Sequence, residues 1–150
     1  MKTIGKYKKN TKRNTRRVNK TTAYSHHKIV EIFLQMLNTV KLYHWKTTSY
    51  AQHKATDELY ANLNLNIDKF VEIMLGKSGG RVNLTEQKSI PLLDYTDLSN
   101  FKREVEMYKQ FLIDMNKDAG LNITNNSDLL NSRDEILGNL NQFTYLLTFK

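Results

Sequence analysis

Between Tyr50 and Leu75 the chain sets Ala55, Leu59, Leu63, Ile67, Phe70, Val71 and Met74 at steps that are mostly three and four. That spacing lines one face of an α-helix, whereas a strand would bury every second residue. Three more stretches behave in the same way. Ile29, Phe33, Leu37, Val40 and His44 mark a helix over about 25–45. Leu98, Phe101, Val105, Tyr108, Leu112 and Met115 mark one over about 97–118, and Leu130, Ile136, Leu137, Leu140, Phe143, Leu146 and Leu147 one over about 128–149. The second helix covers about 50–75. No run alternates Val, Ile or Thr as a strand does. Four helices with one apolar face each can bury those faces only against one another, so the expected fold is all-α, a four-helix bundle over residues 25–150.

The breaks support this division. Ser25 is placed to cap the first helix, and Thr47, Thr48 and Ser49 separate it from the second. Gly76 and Gly79-Gly80 are expected to end the second helix, Thr96 to cap the third, and Ser127 to open the fourth. Residues 77–95, with Pro91 among them, form a long connection. Fully extended it reaches up to ~60 Å, against ~30–40 Å for a helix of this length, so it can cross the whole bundle. One long crossover between the second and third helices is the topology of the ferritin-like class.

Charge divides the chain. Residues 1–20 hold nine of the 23 basic residues, Lys2, Lys6, Lys8, Lys9, Lys12, Arg13, Arg16, Arg17 and Lys20, and none of the 15 acidic ones. The remainder is close to neutral, so the net charge of +8 belongs to an arm over residues 1–24. With almost no aliphatic residues, that arm cannot bury enough surface to order itself. Lys6, Lys8, Lys9, Lys12, Arg13, Arg16, Arg17 and Lys20 are read as contacts to nucleic-acid phosphates, with a solubilising tail or nuclear-import signal as the alternatives. The absence of cysteine excludes disulfides, iron–sulfur clusters and thiol catalysis. No apolar run approaches the ~20 residues of a membrane span, and the N-terminus has no apolar leader. The expected setting is intracellular and nucleic-acid-associated, or the inside of a virus particle, with no membrane partner.

The chemistry gathers between His44 and Glu72. On the second helix His53, Asp57, Asp68 and Glu72 fall within an arc of about 100° on one side. Imidazole and carboxylate together suit zinc, iron, copper or manganese. His44 ends the apolar face of the first helix and is drawn into the same candidate set. Asp68, however, follows His53 by fifteen positions, roughly 22 Å of helix rise, while metal–ligand bonds measure about 2 Å. One helix cannot bring both to one ion. A second copy running antiparallel across a two-fold axis can, which predicts two equivalent sites shared across a dimer interface. Helices three and four carry no histidine, and the Glu-x-x-His pair of di-iron bundle cores is missing. Tyr43, Trp45, Tyr50 and Tyr60 are read as core packing, with radical quenching near iron as the lesser alternative.

His44-Trp45, then His53, Asp57, Asp68 and Glu72, with Leu75-Gly76 and the glycines to Gly80, resemble the motif of the mini-ferritin, or DNA-protecting (Dps), family. Leu140-Asn-Gln-Phe143-Thr-Tyr145-Leu-Leu147 is similar to that family's last helix. The segment from His44 to His53 is about three residues, nearly one turn, shorter than usual there. The resemblance implies an iron site between two-fold-related subunits. His44 and His53 come from one chain, Asp68 and Glu72 from its partner, and Asp57 is a further ligand or supports one. It also implies a hollow twelve-subunit shell that oxidises Fe(II) with peroxide or oxygen, as a di-iron or mono-iron site, and a basic arm that holds DNA. Zinc and manganese are the alternative metals. His44 to His53 is also similar to uncharacterised ferritin-like proteins of large DNA viruses and phages. That kinship implies the other expectation, a non-catalytic structural or nucleic-acid-packaging protein.

Overall fold

The computed structural model describes residues 24–84 and 89–149, so the basic residues of the arm lie outside the described residues. Four α-helices account for most of the chain, and no strand occurs among the described residues. α1 spans His26–Lys46, and its N-cap Ser25 accepts from the Lys28 backbone N–H at 3.2 Å. Three residues later α2 begins and spans Tyr50–Ser78, with Ser49 as its N-cap. α3 spans Leu98–Asp114 and α4 spans Ser127–Leu146. Single 3-10 turns at Met115–Lys117 and Ile123–Asn125 link those two.

The boundaries depart from expectation where a cap decides them. α2 runs three residues past 75, because the left-handed residue that stops it is Gly79 at φ 68°, whose N–H bonds the Leu75 carbonyl. Gly76 lies within the helix, with open space where a Cβ would stand. Gly76→Ala is therefore expected to stabilise the fold by about 0.5–1 kcal/mol, and Gly79→Ala to cost about 1 kcal/mol or more; urea denaturation would measure both. The N-cap of α3 is Asp97 and not Thr96, since its carboxylate accepts from the Asn100 N–H at 2.8 Å. α3 also ends about one turn early. There Asp118, buried, takes the N–H groups of Gly120 at 2.7 Å and Leu121 at 3.0 Å, pulling the chain into a turn. Its other oxygen accepts from Tyr24 N at 2.5 Å, which anchors the start of the described chain to the same corner. α4 stops at Leu146, short of 149, in a final turn closed by Leu147 N–H on the Phe143 carbonyl.

Contacts at the two ends fix the chain directions. Lys77 pairs with Asp128, so the end of α2 meets the start of α4. Lys46 pairs with Asp94 at 2.5 Å, so the crossover has returned to the end of α1 before α3 begins. α1 and α4 thus run one way, α2 and α3 the other. The crossover is strapped to the body by Gln35 Nε2 donating to the Pro91 carbonyl at 3.1 Å and Tyr95 OH to Glu104 at 2.8 Å.

The core is aromatic at its centre. Phe33 meets Phe70 and Phe111 edge-on at 5.3 and 6.0 Å, and Tyr43 stacks on Phe101 at 4.0 Å. Met36 and Leu129, outside the expected faces, are buried, while Leu37 and Leu130 stand at the core's edge. The expected positions Ile29, Phe33, Val40, Ile136, Leu140 and Phe143 are buried, so the shift is confined to these two places. Burial raises the phenols of Tyr43, Tyr95 and above all Tyr108 beyond the ordinary range. A group whose folded pKa is raised gives stability present below its unfolded pKa, near 10, and lost as pH rises beyond it. The melting temperature is expected to fall above about pH 10, and Tyr108→Phe to flatten part of that fall. Among the described residues no helix is long and apolar enough to cross a membrane.

Candidate metal centre

The short α1–α2 connection brings the last turn of α1 against the first turn of α2. Thr47 and Tyr43 hydroxyls both donate to Gln52 Oε1 at 2.8 Å, tying the two helix ends together. This places His44 and His53 ring on ring, centroids 4.0 Å apart and planes 23° apart. His44 Nδ1 lies 3.1 Å from the His53 carbonyl oxygen, and His53 Nδ1 lies 3.1 Å from the His44 carbonyl oxygen. A carbonyl oxygen only accepts, so both Nδ1 atoms carry a proton, and in the neutral rings Nε2 then carries the lone pair. That is the tautomer in which a histidine ligates metal through Nε2 while its other nitrogen is held by a carbonyl.

His44 is buried, and its Nε2 stands 3.9 Å from Asp57 Oδ1. Asp57 and His53 are exposed on the outer side of α2. His44 thus meets His53 ring on ring and Asp57 through its Nε2. Asp68 and Glu72 are exposed further along α2, which is continuous from Tyr50 to Ser78, so the rise keeps them roughly 20 Å or more from His53 within one chain. Among the described residues no three His, Asp or Glu side chains converge to hold a metal within one chain.

Two aromatic expectations are corrected. Tyr43 is buried and Tyr60 half-buried, but Trp45 and Tyr50 are 69% and 75% exposed. Both sit at the α1–α2 turn, where no third helix among the described residues covers them. The Lys41 ammonium lies 5.8 Å from the Trp45 ring centre and 4.5 Å from that of Tyr60, a cation over two aromatic faces.

Sequence reasoning missed Thr56 and Gln52. Thr56 is wholly buried, and its hydroxyl stands 3.2 Å from His44 Nδ1. A signal existed: Thr56 falls three before Leu59 and seven before Leu63, a core position where a hydroxyl needs a partner.

Among the described residues, fold and site together define an all-α chain of four α-helices with a histidine pair at the turn joining the first two. The chain belongs to the family described as a family of unknown function (DUF5856), whose pattern matches residues 44–147. All five candidate ligands fall in the matched region. No curated protein and no solved structure matches the chain.

Proposed function

We propose that this chain is a mini-ferritin-like protein that binds Fe(II) as substrate at sites shared between two copies and contacts nucleic acid through its basic arm. The observation that carries the reading is the reciprocal bonding of His44 and His53. It leaves a lone pair on Nε2 of each neutral imidazole, with Asp57 Oδ1 3.9 Å from that of His44. This donor chemistry fits iron, with zinc and manganese as competitors.

The ring geometry favours two ions over one. An imidazole lone pair lies in its ring plane, and two stacked rings with centroids 4.0 Å apart and planes only 23° from parallel do not aim their lone pairs at one point within bonds of about 2 Å. Each imidazole would serve its own ion, and two-metal sites hold ions about 3.5–4 Å apart. The missing carboxylates are those of Asp68 and Glu72 from an antiparallel copy. Trp45, Tyr50 and Leu65, each more than two-thirds exposed around the α1–α2 surface, are apolar area that such a copy would cover. The chain directions and the single long crossover are those of the ferritin-like class. In this reading the histidines bind and orient Fe(II), and the partner's carboxylates offset the added charge when oxygen or peroxide oxidises it. The resemblance extends this to a twelve-subunit shell.

One observation favours the second reading, a non-catalytic structural or packaging protein. The histidine pair staples the α1–α2 turn by its own hydrogen bonds, with no metal needed. Anaerobic Fe(II) titration followed by oxygen or peroxide separates the two. Stoichiometric uptake and oxidation are expected in the wild type and are lost in the Asp68→Ala, Glu72→Ala double variant, with a solution mass of a dimer or larger. A wild type that takes up no Fe(II) leaves the structural reading.

A further inference from the structure

From Ile90 to Asp94 the crossover carries Ile90, Leu92 and Leu93, yet none of them joins the core, and Leu92 is 63% exposed. Polar contacts at the surface tie this stretch to α1, Gln35 on the Pro91 carbonyl and Lys46 on Asp94. Exposed ion pairs contribute little. Tyr95 is held differently. Its ring packs on the core, and its hydroxyl donates to Oε2 of the buried Glu104 on α3. Proton accounting gives that bond its weight. The Thr39 hydroxyl and the Gln35 carbonyl are 2.8 Å apart, and the carbonyl can only accept, so Thr39 spends its one proton there. Tyr108, 3.0 Å from the Thr39 oxygen, then gives its own proton to Thr39 and has none left for Glu104. Among the described residues Tyr95 is the donor that Glu104 keeps, and a buried carboxylate that loses its donor is costly.

We propose that the Tyr95–Glu104 bond is the latch of a strap. When it breaks, the crossover from Ile90 to Thr96 lifts as a unit while the four helices stay packed, and the Glu104 carboxylate meets solvent. Between Ile90 and Asp94 little apolar area opposes the lifting, so the cost sits at one end, in the latch. This device involves neither the histidine pair nor the arm, and it stands apart from the proposed function.

Native-state proteolysis of the full-length protein tests it, with chymotrypsin as the probe and mass spectrometry to locate the cuts. Tyr95→Phe keeps the ring and loses the hydroxyl; cutting within 90–96 is expected to rise about 10- to 100-fold. Glu104→Gln keeps an acceptor without the charge and is expected to give a smaller rise. Phe70→Ala weakens the whole bundle and is expected to leave this rate unchanged, because cutting from a locally opened state does not pass through global unfolding. Equal cutting of the wild type and Tyr95→Phe overturns the proposal. So does acceleration by Phe70→Ala as large as that by Tyr95→Phe, which would mean that the strap opens only with the whole bundle. Comparison of the wild type with Phe70→Ala holds even if Tyr95→Phe does not fold: faster cutting within 90–96 in Phe70→Ala overturns the proposal, and an unchanged rate supports it.

Discussion

Removal of residues 1–20 is expected to abolish retardation of DNA by this protein at low salt. The arm holds nine cations and no acid, and the rest of the chain is within one charge of neutral, so little else can neutralise phosphates. Each contact releases a counterion, and log K falls with log salt at a slope of about 0.9 per phosphate neutralised. If most of the arm engages, binding by the full chain should drop about 10³- to 10⁵-fold between 50 and 200 mM salt, with little preference for sequence. Gel retardation across a salt series measures both. Retention of DNA by the truncated chain would transfer the role to the helical body. The truncation begins before the described residues and leaves Tyr24 and its bond to Asp118 in place, so the melting temperature should barely change.

The second large effect is on the body. Phe70→Ala should cost about 3–5 kcal/mol, a large part of a small domain's stability. Phe70 is fully buried on α2 and meets Phe33 of α1 edge-on at 5.3 Å, and Phe33 in turn meets Phe111 of α3. Removing the ring leaves a cavity against Phe33, which itself packs on Phe111, so the loss falls at the centre of the aromatic cluster. Denaturation in urea reads the loss as a lower midpoint. A cost below about 1 kcal/mol would mean that this part of the core repacks freely. The two experiments are independent, since one removes charge outside the described residues and the other removes packing inside them.

The four helices were legible because Leu59, Leu63, Ile67, Phe70 and Met74 can be explained by only one periodicity. Caps were legible where one hydroxyl stood alone before an apolar run, as Ser25 does. They were less so where two candidates competed. Gly76 and Gly79 differ only in which backbone turns left-handed, and Thr96 and Asp97 only in which side chain reaches the Asn100 N–H. The early end of α3 depended on Asp118, whose three acceptor contacts come partly from residues that follow it and partly from Tyr24, 94 positions away.

At the site, spacing alone placed His53, Asp57, Asp68 and Glu72 on one side of α2 and forbade His53 and Asp68 from sharing an ion within one chain, because helix rise is fixed whatever the helix packs against. Composition alone put the basicity in the arm. Only the tertiary structure decided that His44 and His53 each donate Nδ1–H to the other's carbonyl, that Thr56 stands behind His44, and that Trp45 and Tyr50 face outward. Those contacts join two helices across a three-residue turn, and the angle at which that turn lets them meet is set by packing between them.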